Sequence, residues 1–118
     1  MNAFATGAFT AALGILLGAF GAHGLGDVGA TRTAWWTTAT NYLFISALGM
    51  MLWGLYDRTS GVLAGPCVAL LVGALFFSGS LYAMGLGAPR WFGAITPIGG
   101  VALIVGFLWI ALRALRPR

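Results

Sequence analysis

Four long apolar runs, joined by short polar or glycine-rich connections, constrain this chain more than any other feature. They cover residues 4–22, 34–56, 61–84 and 95–112. Each holds about 18 to 24 residues, the length that carries a helix across ~30 Å of hydrocarbon. Strands of a membrane barrel would instead alternate apolar and polar residues over about 10 positions, and none of the runs alternates. The charge count closes the soluble alternative. Only 7% of the residues are charged, whereas a soluble domain needs a surface roughly a quarter charged or more. The expectation is an all-α membrane protein: one four-helix transmembrane bundle over residues 1–118, with helices at 4–22, 34–56, 61–84 and 95–112.

The first run opens Met1-Asn2-Ala3 without a basic residue. It is also longer than the ~7 to 15 residues of a secretory signal core, so it reads as a retained helix. Orientation follows from arginine, because the chain contains no lysine. Four crossings place the N-terminus, the 57–60 turn and the C-terminus on one side, with Arg58, Arg113, Arg116 and Arg118. The other side holds only Arg32 and Arg90. The arginine-rich side faces the cytoplasm, so both termini are expected there. The net charge of +4 then reflects topology and contact with anionic lipid, and no nucleic-acid partner is expected. Trp35, Trp36 and Trp91 fall at the outer boundary and Trp53, Tyr56 and Trp109 at the inner one. Trp36 and Trp53 lie roughly 25 Å apart along a helix, a spacing that suits two aromatic belts or rings packed between helices.

Lipid removes most of the hydrophobic drive between helices, so small residues that let backbones approach become the packing signal. The first helix carries Gly7, Ala11, Gly14, Gly18 and Gly21 at alternating steps of four and three. The third carries Gly61, Gly65, Ala69 and Gly73 at strict steps of four. Two smooth faces of different period suit two neighbours, which lie either in one bundle or in a second subunit.

Polar residues gather at one end of the four runs. His23, Asn41, Ser78, Ser80, Tyr82 and Thr96 all fall in the outer half, with Thr37, Thr38 and Thr40 beside them. In hydrocarbon such groups need partners, which interhelical hydrogen bonds supply. His23, the lone histidine, is expected to hydrogen-bond to the second or third helix, so that His23→Leu would lower thermal stability. In "ITPIGG", Thr96 reads as an N-cap and Pro97 as the first helical residue. Gly99 and Gly100 would leave the first turn of the last helix bare, a place where a phosphate or carboxylate can sit.

"GAFGAHGL", "WWTTATNYLFISALGMML", "FFSGSLY" and "ITPIGG" stand in the order and spacing of one family. On them the chain resembles the YgdD-like family of small bacterial inner-membrane proteins, a domain-of-unknown-function family with small mitochondrial transmembrane relatives. The resemblance runs from about Gly14 to Leu112. It implies a four-helix, multi-pass protein of the bacterial inner membrane and no agreed activity. It also implies a histidine where this chain has Ser46, so a paired role for two histidines has lost one partner here.

Chemistry is sparse. A metal site wants three or four ligands, and the chain offers His23, Cys67, Asp27 and Asp57 at scattered positions. No cofactor, metal or catalytic residue is expected, and the chain does not read as an enzyme. Cys67 reads as an inert core thiol. Three functions fit. The first is a structural or accessory protein that self-associates, or joins a membrane complex, through its glycine faces. The second is a binder or carrier of a lipid or other amphiphile, using the outer polar cluster. The third is an oligomeric channel. Size, missing charges and two glycine faces favour the first.

Overall fold

The computed structural model describes residues 1–116; Arg118 lies outside the described residues. Within them the chain is helical, with five α-helices, one π segment and one 3-10 turn that form four rods. The first rod is α1 (Ala3–His23), started by Asn2, whose Oδ1 accepts the Ala5 N–H at 2.8 Å. It ends where the amides of Gly24 and Leu25 both turn back to the Phe20 carbonyl. The second rod, α2 (Ala30–Tyr56), begins after Gly29, whose φ of +89° is open chiefly to glycine. Asp57 stops it, folding its carboxylate onto the backbone N–H and hydroxyl of Thr59.

The third rod is continuous over Pro66–Gly85. It consists of α3 (Pro66–Gly73), a π segment (Ala74–Ser78) and α4 (Gly79–Gly85). The expected start at residue 61 is corrected. Proline pushes its predecessor out of the helical region, and Gly65 accordingly sits at φ +64°. Gly61 makes an isolated antiparallel bridge with Asn2. The last rod starts as a 3-10 turn (Arg90–Ala94) and runs into α5 (Thr96–Ala114).

Three of these rods are long and apolar enough to cross a membrane: Ala3–His23, Pro66–Gly85 and Arg90–Ala114. The remaining rod, α2, is the longest at 27 residues and is diluted by its threonines and Asn41. It is also the core. Met50, Trp53, Ala47 and Ser46 of α2 are essentially inaccessible, as are Cys67 and Leu70 of α3. α1 packs along one side of α2 and the third rod along the other, while α5 packs along the third rod. The result measures 51 × 26 × 19 Å, and α5 also reaches α2, where a Cβ on Gly49 would strike Phe107. The outer rods expose their apolar side chains. Ile15 and Leu16 of α1 are 65% and 68% exposed, and Ile104 and Leu112 of α5 are 61% and 63% exposed. Such faces would aggregate in water and are ordinary against lipid.

Glycines set the spacing between the rods. A Cβ on Gly7 would strike the Ala47 carbonyl and Met51, one on Gly14 the Phe44 ring, and one on Gly21 the Trp36 ring. The α1 stripe therefore faces α2. Gly73 meets Leu103 of α5, and Gly106 of α5 meets Leu70 in return. The step-of-four face expected from Gly65 through Ala69 to Gly73 is corrected: Gly65 precedes the helix, where a Cβ would come 3.8 Å from the Trp53 ring. Gly54, absent from either expected stripe, lets the backbone of Phe4 cross α2 closely.

Both ends of the molecule are tied. At one end the Ala3 N–H donates to the Ser60 carbonyl, and Trp53 Nε1 donates to Ser60 Oγ at 2.7 Å. The Arg113 guanidinium stands 5.5 Å from the Trp53 ring centre. The N-terminus, the 57–65 connection and the end of α5 thus meet. The connections 24–29 and 86–89 lie at the opposite end. Trp36 and Trp53 are buried, which assigns both to packing between helices, whereas Trp91 is 64% exposed.

Candidate functional site: a hydroxyl layer beside a polar cleft

The third rod supplies three of the polar side chains of the layer. Ser78 closes the π segment, is buried, and donates to the Ala39 carbonyl of α2 at 2.7 Å. Two residues on, Ser80 turns toward α5 and shares a hydrogen bond of 2.5 Å with the Thr96 hydroxyl. Tyr82 returns to α2, where its phenol meets the Thr40 hydroxyl at 2.7 Å. Trp36 stands edge-on to Tyr82, with ring centres 4.5 Å apart, and its Nε1 donates to the Leu17 carbonyl of α1. One layer of polar atoms therefore ties all four rods. No buried side-chain nitrogen or oxygen among the described residues lacks a partner.

Two residues expected in this layer are not part of it. His23 is exposed at the last position of α1 and makes no hydrogen bond among the described residues, which corrects its expected bond to the second or third helix. The doubled return of Gly24 and Leu25 onto Phe20 ends the helix just beyond it. Nor does it share a level with position 46. In the antiparallel pairing of α1 with α2, Gly21 meets Trp36 and Gly14 meets Phe44. His23 and Ser46 are therefore on the order of 15 to 18 Å apart along the axis. Ser46 is fully buried, and its hydroxyl donates to the Leu43 carbonyl at 2.9 Å. Asn41 is the second exception. It is exposed on α2 with no hydrogen-bond partner among the described residues.

Asn41 opens instead into a cleft of about 300 Å³ between the end of α1 and the start of α2. Gly18, Gly21 and Ala22 form its α1 wall; Thr33, Trp36 and Thr37 form its α2 wall. Gly18 is roomy here, since a Cβ would reach only the Thr40 methyl at 3.5 Å.

The start of the last helix is also corrected. Thr96 does not act as an N-cap; Ile95 holds that position in helical geometry, because the 3-10 turn feeds α5 without a break. The amides of Ile98 and Gly99 donate to the Ile95 carbonyl. Gly99 is buried against the Phe77 backbone, and a Cβ on Gly100 would stand 3.5 Å from the Phe77 ring. The turn at Pro97 is thus a packing surface for the π segment rather than an open cradle. Cys67 is buried near the opposite end, and no three of His, Cys, Asp and Glu lie together among the described residues.

Sequence reasoning missed the π segment and the role of Trp36. "ALFFSGS" (74–80) shows no proline or charge to mark an irregular helix. The tryptophan pair 35–36 reads equally as an interface anchor or as packing between helices, and nothing in the sequence marks Trp36 as the ring that turns inward to bond the Leu17 carbonyl.

Comparison with known proteins finds relatives along nearly the whole chain. The family model described as "Protein of unknown function (DUF423)" matches residues 17–100. A UPF0382 membrane protein of Staphylococcus epidermidis is 41% identical over 112 residues, which is 93% of this chain and 92% of the relative. The UPF0382 membrane protein YwdK of Bacillus subtilis is 39% identical over 114 residues, 93% of each chain. The UPF0382 inner membrane protein YgdD of Escherichia coli is 34% identical over 106 residues, 86% of this chain and 80% of the relative. No solved structure matches.

Proposed function

The chain belongs to the DUF423 family of proteins of unknown function, and on that footing we propose a multi-pass protein of the bacterial inner membrane that holds an amphiphile in the α1–α2 cleft. It crosses four times, α2 included, with both termini in the cytoplasm. Three apolar rods and relatives that are themselves membrane proteins by name support the membrane. The meeting of the N-terminus, the 57–65 connection and α5 at one end supports the shared side. Arg58 and Arg113 at that end support the cytoplasmic assignment.

One observation carries the ligand. Asn41 stands eleven residues into α2, about 16 Å along its axis, and its carboxamide has no partner among the described residues. At that depth a bare amide costs several kcal/mol against hydrocarbon. The cleft in front of it is polar at Thr33, Thr37 and Asn41 and apolar at Ala22 and Trp36. That combination suits a molecule with a small hydrogen-bonding head and an apolar body. Glycine-mediated self-association is the weaker reading, because Gly7, Gly14, Gly21 and Gly73 are already spent on contacts within the chain. A second copy covering Asn41 is the competing explanation. On either account the protein binds rather than catalyses.

The test is mass spectrometry of the full chain purified in mild detergent. An amphiphile retained by the wild type and lost in Asn41→Leu is expected. A dimer that Asn41→Leu dissociates would replace the ligand by a second copy. A monomer free of any bound amphiphile would overturn the reading.

A further inference from the structure

The two arginines at the end of the molecule that carries His23 are 58 positions apart in the chain, yet they line one cavity. It has a volume of about 440 Å³ and lies on the side of α2 that faces the third rod. Arg32 comes from the first turn of α2 and Arg90 from the 3-10 turn that leads into α5. Arg32 is fixed: its Nε donates to the Gly85 carbonyl at 2.9 Å, so the two terminal nitrogens of its fork stay available. Gly87, at φ +109°, passes beside that fork without a side chain to cover it. Arg90 is exposed and stands 5.9 Å from the centre of the Trp35 ring, a contact that steadies the guanidinium and leaves its edge open. Neither arginine has a carboxylate partner among the described residues. Asp27, the nearest acid in sequence, turns its carboxylate to the Gly29 N–H and is not among the lining residues.

Two uncompensated guanidinium groups facing one concavity repel each other unless an anion sits between them. Planar forks match phosphate oxygens two at a time. We propose that Arg32 and Arg90 form a clamp for a phosphate oxyanion, carried by an anionic phospholipid headgroup at the membrane surface. Trp91, next to Arg90 in the chain, is exposed, and an indole ring so placed suits the headgroup zone. The clamp depends on the membrane placement proposed above and is independent of the α1–α2 cleft.

Thermal unfolding of the full chain in a nonionic detergent tests it. Dioleoyl phosphatidylglycerol is expected to raise the midpoint by about 4 °C or more at saturation. Dioleoyl phosphatidylcholine, whose choline screens its own phosphate, is expected to raise it far less. The decisive variant is Arg90→Gln, because Arg90 makes no hydrogen bond whose loss would disturb folding. It should abolish the response to phosphatidylglycerol, whereas Arg58→Gln at the opposite end should keep it. Phosphatidylglycerol acting alone assigns the lipid headgroup. An equal response to inorganic phosphate assigns the free anion and still supports the clamp. An unchanged response in Arg90→Gln, or no response to either anion, overturns it. Loss of the cleft amphiphile in Asn41→Leu leaves this response intact, so the two proposals fail separately.

Discussion

At the scale of single residues, the polar layer divides into groups that hold the fold and groups that do not. Tyr82 and Thr40 join the third rod to α2 through one hydroxyl pair. Tyr82→Phe should therefore cost about 0.5 to 1.5 kcal/mol in unfolding experiments in detergent. Tyr82→Phe with Thr40→Val should cost less than the sum of the two, Thr40→Val still adding the loss of its own bond to the Trp36 carbonyl. His23 is exposed and without a hydrogen bond among the described residues. His23→Leu should leave the unfolding midpoint within about 1 °C of the wild type, as a surface change away from packed features does. The hydroxyls were legible because Ser78, Ser80, Tyr82 and Thr96 all sit inside apolar runs, where an unpaired hydroxyl is unaffordable. His23 was misread because it stands at a helix end. There the phase of the helix no longer says which way a side chain points, and the Gly24–Leu25 return decides instead.

At the scale of elements, close approach of backbones distinguishes one glycine from the next. A Cβ on Gly7 would strike the Ala47 carbonyl and Met51, whereas one on Gly18 would keep 3.5 Å from the Thr40 methyl. Gly7→Ala should cost about 1 to 3 kcal/mol, because α1 must move off α2. Gly18→Ala should be neutral or stabilising by up to about 1 kcal/mol, because it removes glycine's helix penalty without a clash. Chemical unfolding of both variants in the same detergent checks the contrast. The α1 stripe could be read from spacing alone, since steps of four and three return to one helical face. The α3 stripe could not. Pro66 sets the helix start, so Gly61 and Gly65 share spacing with Ala69 and Gly73 but not a helix. Helix α2 was legible as the run 34–56, although it starts at Ala30; its central place was not legible. Its polar residues make it look like a weak span, yet it is the rod against which both neighbours pack, and burial by helices relaxes the need for apolar side chains.

At the scale of the whole molecule, two helix pairs share a central seam, with α1 on α2 and α5 on the third rod. The proposed topology puts Thr59 and Ala88 on opposite faces of the membrane. In intact cells, an impermeant maleimide should label Ala88→Cys and should label Thr59→Cys only after lysis; native Cys67 is buried and should stay silent in both. Labelling of both without lysis would refute the four crossings. The π segment, Ala74–Ser78, lies on the seam between the halves, with Gly99 of α5 against Phe77 and Ser78 bonded to α2. Winding it into regular α-helix at the same length would swing everything after it by roughly 100°. Ser80 would leave Thr96, and Tyr82 would leave Thr40. Removing one residue from 74–78 would let a regular helix keep both appointments. Insertions or deletions anywhere else in that rod would set the two halves of the protein out of phase.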